Sequence, residues 1–161
     1  MSSVGDSIIA DNASWTFEGD VANNFEDHVK KSVPLYEQGH ELILECADYF
    51  IKDNSICYEL GSSTGKLSHK LSQRFLSTNA NFIGLDQSKN MIKFAKDKYK
   101  SKNLKFECKD VIEYSYSQAD FITSYYLLQF IKPSQRQLLL DKVYSNLNWG
   151  GAFICFEKVR G

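Results

Sequence analysis

From residue 55 onward, short apolar runs of strand length alternate with longer stretches of helical period, and this alternation leaves the chain few ways to fold. The runs 55–60, 81–86, 104–108, 119–124 and 152–156 are rich in Ile, Phe, Tyr and Cys with little polar alternation. Strands covered on both faces read that way. Between them, 64–75 and 88–99 read as helices. A further helix is predicted to open on a capping box of Ser134 with Gln137 and to bury Leu138, Leu139, Val143 and Leu147. Asn148, Trp149, Gly150 and Gly151 read as the turn into the last strand. Strand–helix alternation implies right-handed crossovers, so the expected fold class is α/β: a doubly wound, mostly parallel sheet of about five strands with helices on both faces.

Upstream, residues 1–20 read as an N-terminal arm that folds back as a lid, and 21–161 as the domain itself. A short helix is expected over 21–31. A longer one over 32–52 would carry Pro34 in its first turn and bury Leu35, Leu42, Ile43, Ala47, Phe50 and Ile51.

The chain of 161 residues has a net charge of −1, with 19 basic and 20 acidic residues interspersed, and gives no direct nucleic-acid signature. Lys93, Lys96, Lys98, Lys100, Lys102 and Lys105 form either a local basic patch or a solvated helix face and turn, the second being the plainer reading. Cys46, Cys57, Cys108 and Cys155 contain no Cys-x-x-Cys pair, and His28, His40 and His69 are scattered and read as surface residues, so no metal site is expected. The N-terminus lacks the pattern of a signal peptide and no apolar run approaches membrane-spanning length. The expectation is a reduced, cytoplasmic protein with no membrane partner.

The most informative stretch is Tyr58-Glu59-Leu60-Gly61-Ser62-Ser63-Thr64-Gly65-Lys66, where the first strand of the alternation passes into a helix. Small residues there let backbone amides approach a ligand, and the helix N-terminus adds partial positive charge. Asp86, ending the next strand, is placed to accept the hydroxyl hydrogens of an adenosine ribose. The spacing is not G-x-G-x-x-G, and Glu59 would repel a pyrophosphate but not a sulfonium or ammonium group. These details favour S-adenosylmethionine (SAM) over a nicotinamide dinucleotide. A plain structural turn with a surface Asp is the alternative.

ELGSSTG resembles the acid-x-Gly-x-Gly-x-Gly motif of class I SAM-dependent methyltransferases, with Ser63 at the middle glycine. GLDQSKNMIKFA resembles that superfamily's ribose-binding strand and helix, and NWGGAFICFEK its Pro-Gly-Gly turn and strand, with Trp149 for the proline. The resemblance implies a Rossmann-like fold. WTFEGDVANNFEDHVKKSVPLY, YELGSSTG, LDQSKNMI and LLQFIKPSQRQLLLDKVYSNLNWGG together resemble, more narrowly, the carboxy-S-adenosylmethionine synthase family. That family makes carboxy-SAM from SAM and prephenate, for the carboxymethylation branch of tRNA wobble-uridine modification.

The resemblance implies Tyr36 at the cofactor, Gly61, Ser62 and Ser63 cradling its methionine moiety, Asp86 and Gln87 at the ribose, and Asp110 with Val111 at adenine. Core packing is the alternative role for Tyr36. Glu59, Gly65 and Tyr125 complete the candidate set, Tyr125 standing where the family has an Asn. The family also continues past FEK into segments that supply a carboxylate-binding arginine, which neither Arg74, Arg136 nor Arg160 matches. With the chain ending at Gly161, weak discrimination between SAM and carboxy-SAM is expected. So is a last strand whose edge either self-associates, giving a homo-oligomer, or is covered by the arm carrying Trp15 and Phe17.

Three functions compete: a SAM-dependent transferase acting on a small-molecule substrate, a carboxy-SAM synthase-like enzyme, and a non-catalytic SAM-binding module. In-line transfer from sulfur needs alignment more than acid–base help, so the sequence names no catalytic residue.

Overall fold

The computed structural model describes residues 2–3, 9–11, 14–16 and 21–159. Phe17 and Arg160 lie outside them, as does the side chain of Trp15, and with them the arm's expected covering of the last strand. The first elements are the short strands β1 (Ser2–Ser3), β2 (Ile9–Asp11) and β3 (Ser14–Thr16), an antiparallel sheet of their own within the expected arm. Helices α1 (Val21–Ser32) and α2 (Tyr36–Phe50) follow. Then come β4 (Ile56–Leu60), α3 (Lys66–Arg74), β5 (Asn81–Asp86), α4 (Lys89–Lys98), β6 (Leu104–Cys108), β7 (Ala119–Tyr125), α5 (Pro133–Asn146) and β8 (Leu147–Phe156).

The main sheet has the order β6-β5-β4-β7-β8, and every pairing in it is parallel. The direction of winding reverses at β4, so a crevice opens at the carboxyl ends of β4 and β7. Alternation along each strand splits the core in two. Cys57, Phe82 and Phe121 pack with Ile43, Ala47, Leu67 and Leu71 of α2 and α3, and Phe106 of the same face packs on Ile92 and Ala95 of α4. Tyr58, Leu60, Leu85 and Ile122 face the other way, onto Leu139 and Val143 of α5. Between β6 and β7 there is no helix. Tyr114 and Tyr116 instead meet Tyr58 edge-on, with centroids 5.9 and 5.2 Å away, and Tyr58 Oη accepts the Ser117 amide at 3.2 Å.

Several expectations are corrected. Pro34 does not open a helix over 32–52: it lies in a break between α1 and α2 where Leu35 takes φ 58°, and Leu35 and Leu42 stand exposed while His40, Ile43, Leu44 and Ala47 turn inward. His40 is thus a core residue rather than a surface one. The stop is local, because Val33 N–H still closes onto the Val29 carbonyl at 2.8 Å before the chain turns. Helix α5 starts at Pro133 without a side-chain cap. Proline's fixed φ suits a first helical position, and Gln137 bonds forward to Asp141 at 2.8 Å rather than back toward Ser134. Leu138 is exposed, and Leu147 has passed into β8. The expected turn at 148–151 is part of β8: pairing with β7 begins at Leu147, and a register shift between Ala119 and Phe121 absorbs Gly150 at φ 81°. Of the four thiols, Cys57 is buried as expected of a small apolar side chain, whereas Cys108 and Cys155 are exposed.

Gly39 locks α2 to the sheet. A Cβ there would run into Tyr125 Oη and sit 3.0 Å from Cζ, because the phenol reaches over this position to donate to the Tyr36 carbonyl at 2.6 Å. We predict that Gly39→Ala lowers stability by about 1–3 kcal/mol, overpacking outweighing alanine's helix advantage of about 1 kcal/mol. In denaturant melts, Gly39→Ala with Tyr125→Phe should lose less than the two single losses together. Additive losses would mean that the two side chains do not compete for this space.

Candidate active site

The turn between β4 and α3 is held in an uncommon backbone conformation. Gly61, Ser63 and Gly65 have φ of 72°, 49° and 80°. For Ser63 a left-handed φ costs about 1–2 kcal/mol, so something must fix it there. That group is Asp86. Its Oδ2 accepts the Ser63 amide at 2.9 Å and its Oδ1 the Ser88 amide at 2.8 Å. The Ser62 amide donates to the Leu85 carbonyl at 2.8 Å, and the Lys109 amide to that of Asp86 at 3.0 Å. One carboxylate therefore ties the turn after β4 to the turn after β5, while a backbone bond draws in the turn after β6. Burial raises the Asp86 pKa, opposed by the Ser88 and Ser63 amides.

The two glycines of the turn serve different ends. At Gly65 a Cβ would press on Phe106 at 2.5 Å and on Ala95 at 2.9 Å, so this position is set by packing. At Gly61 the neighbour is Leu127, whose Cδ1 would lie 2.7 Å from a Cβ. Leu127 belongs to the loop after β7, where Tyr126 has φ 58° and the Leu128 amide donates to Glu157 Oε1 at 2.5 Å. Leu127 thus borders the face of the turn that a ligand would approach. It opens the stretch LLQFIKPSQRQLLLDKVYSNLNWGG, which does not reveal this role; the pairing of Leu60 with Ser124 brings it there.

Glu59 does not point its charge into this space. It is 5% exposed, and Oε2 accepts both the Ser68 amide, at 2.8 Å, and the Ser68 hydroxyl. Burial pushes its pKa up to about 8, against the two Ser68 hydrogen bonds. Glu59 therefore anchors the first turn of α3. Its partner Ser68 has no signal in the sequence, because the pairing depends on how α3 rises over β4.

The remaining candidates fall into two groups around the turn. Tyr36 and Tyr125 meet at 5.0 Å between centroids, with His40 4.8 Å from each. Both phenol pKa values are raised, by burial first and then by neighbouring acidic groups. His40 is 1% exposed with neither ring nitrogen hydrogen-bonded, and desolvation lowers its pKa to about 4. On the other side, Gln87 and Asp110 are exposed at the ends of β5 and β6, Val111 is buried beside them, and Asp110 Oδ1 accepts the Ile112 amide at 2.7 Å. A cleft of about 230 Å³ lies at the opposite ends of the strands, lined by Tyr49, Lys52, Asn54, Asp120 and Trp149, and includes none of the candidates.

A donor cofactor of adenosine type fits the residues present. Ser62 Oγ is buried in the turn without a hydrogen-bond partner, Asp86 keeps lone pairs beyond its two amide bonds, and the backbone at Gly61 carries no side chain.

The profile of a family described as a methyltransferase domain matches residues 58–151. The carboxy-S-adenosyl-L-methionine synthase of Staphylococcus epidermidis is 41% identical over 148 residues, covering 91% of this chain and 64% of that protein. The chain spans about 63–64% of the length of the first curated relatives it matches. A Methanococcus maripaludis structure, provisionally described as an S-adenosyl-L-methionine-dependent methyltransferase, superposes with a TM-score of 0.68 at 23% identity over 91% of this chain and 66% of that one. Coclaurine N-methyltransferase bound to N-methylheliamine and SAH gives 0.63 at 18% identity, over 74% and 35%. At such identities the two structures establish the fold: Rossmann-like, as the sequence motifs imply.

Glu59 generates a pH prediction. Its folded pKa of about 8 lies above the ordinary 4.5, so between these values the folded protein holds a proton that the unfolded chain releases. Stability from this group is complete below pH 4.5 and declines as pH rises through 8. The difference in melting temperature between wild type and Glu59→Gln should therefore shift against wild type from pH 5 to pH 8. A difference independent of pH would show that Glu59 is ionised in the fold.

Proposed function

The chain belongs to the methyltransferase-domain family, and from that premise we propose that it binds SAM across the turn after β4 and presents it for group transfer to a small-molecule acceptor. The observation that carries this is the left-handed turn at Gly61–Ser63, fixed by Asp86, with the Ser62 hydroxyl buried and unpartnered inside it. When bound, SAM supplies a carbon activated by positive sulfur. The chain's own residues hold and orient it. Asp86 accepts ribose hydroxyl hydrogens through its free lone pairs, with Gln87 beside it. Asp110 and Val111 take the adenine, a carboxylate for its amino group and an apolar side chain for its ring. Gly61, Ser62 and Ser63 hold the methionine moiety, and Tyr36, positioned by Tyr125, sets an aromatic ring toward the cationic end. Glu59 acts through Ser68 and Gly65 through Phe106, both by fixing the start of α3. Alignment of donor and acceptor is the main requirement of such a transfer, and no side chain is assigned to acid–base work.

The 41% identity to a carboxy-S-adenosyl-L-methionine synthase favours a second reading, in which the donor is converted to or held as its carboxylated form, as in the carboxymethylation branch of tRNA wobble-uridine modification. Both readings include a reduced, cytoplasmic setting.

Mass spectrometry of the nucleoside that co-purifies with the protein separates the readings. SAM or its demethylated product supports the first, and a carboxylated sulfonium the second. Asp86→Ala should weaken SAM binding by about 1.5–3 kcal/mol, since ribose hydroxyls lose a charged acceptor. Calorimetric titration giving wild-type affinity in a folded variant would remove Asp86 from the site.

A further inference from the structure

The charge of this chain is not spread as evenly as its total suggests. Residues 89–109 carry eight lysines against Asp97 and Glu107, a net +6 in a chain whose sum is −1. On α1 and α3, by contrast, several lysines are engaged. Lys66 pairs with Glu37 at 2.6 Å, Lys70 with Glu41 at 2.6 Å and Lys30 with Glu37 at 3.3 Å. Within 89–109 only Lys98 has such a partner among the described residues, Glu26 at 2.9 Å. Lys89, Lys93 and Lys96 are exposed, with no acidic side chain against them among those residues.

Their placement is linear. Spacings of four and three put Lys89, Lys93 and Lys96 on one face of α4, and Lys100 stands exposed two residues past its end. Met91, Ile92 and Ala95 turn inward from the opposite face. At about 1.5 Å per residue, the row from Lys89 to Lys96 runs for roughly 10 Å. It begins immediately after the Asp86-Gln87-Ser88 turn, at the mouth of the candidate site.

We propose that the lysine row of α4 is a docking surface for the phosphate backbone of a nucleic acid, held without regard to sequence and led toward the carboxyl ends of the strands. The surface is cationic apart from Asp97, exposed one residue after Lys96. None of the large apolar side chains that the molecule exposes lies between residues 77 and 137, so this face has no wedge for a bilayer and no aromatic anchor for a protein partner. Regularly spaced point charges without apolar neighbours suit a chain of phosphates. The proposal goes beyond the donor-site reading and does not depend on it.

The test is fluorescence anisotropy with a labelled single-stranded RNA of fifteen nucleotides. Wild type should bind in 50 mM salt and weaken about twentyfold at 150 mM, the salt slope of four released counterions. Lys89→Glu/Lys93→Glu/Lys96→Glu should bind at least tenfold more weakly than wild type. Lys31→Glu/Lys52→Glu/Lys132→Glu, an equal charge change on other exposed lysines, should stay within threefold. Acetylation of Lys93 and Lys96 in the wild-type protein should be suppressed by the RNA, a readout that needs no variant to fold. Absence of binding at 50 mM, equal losses in the two triple variants, unprotected lysines, or capture by anionic-lipid vesicles in place of RNA would each overturn the proposal.

Discussion

The carboxylate of Asp86 is the constraint on which the site depends. The turn after β4 carries a non-glycine residue, Ser63, at φ 49°, a conformation the chain adopts only under restraint. The restraint is one hydrogen bond from the Ser63 amide, made by a side chain that also captures the first free amide before α4. Two helices therefore begin at fixed positions relative to each other, their N-terminal amides near the same crevice. A charge that binds two amides is already oriented before any ligand arrives, and oriented groups do not have to reorganise when one binds.

Around this pin the fold adds a second brace from α2. Tyr125, at the end of β7, reaches across to the Tyr36 carbonyl and packs in the hollow left by Gly39. The neighbouring His40 pays for no hydrogen bond and is accommodated as a neutral ring among aromatics, consistent with its lowered pKa. This brace sets the wall of the crevice opposite Gln87 and Asp110. The two sides of the candidate site are thus built differently: hydrogen-bonded backbone on the β5–β6 side, tilted and edge-on rings on the α2–β7 side.

Much of this was legible in the sequence, and the boundary of what was legible has physical causes. The runs 81–86 and 104–108 coincide with β5 and β6, because an apolar run bounded by polar turns leaves a strand little room to slide. The glycine turn and Asp86 were readable because their residue types answer local backbone needs. The partners that give these residues their present roles were not. Ser68 reaches Glu59, and Leu127 lies over Gly61, only because strands distant in sequence are neighbours in the sheet. Pro34 and Ser134 misled for a shared reason: proline and serine both suit helix starts, and the chain chose between adjacent registers on the basis of packing. His40 looked like a surface residue because three scattered histidines carry no pattern, whereas its burial follows from standing one turn before Leu44 on the inward side of α2.

The strand order also has a consequence in time. The central strand β4 is the first of the main sheet to be synthesised, and its neighbour β5 follows closely, so β4, α3, β5, α4 and β6 can assemble by local crossovers. The other neighbour, β7, comes much later: the Ile56 amide finds its acceptor on Asp120, sixty-four residues further along. Until that loop closes, one flank of β4 offers unpaired backbone, and the apolar face formed by Tyr58, Leu60 and Leu85 waits for α5. Non-local closure of this kind slows folding. The joining of β7 to β4 is thus the most non-local pairing in the main sheet, and it alone gives β4 its second neighbour.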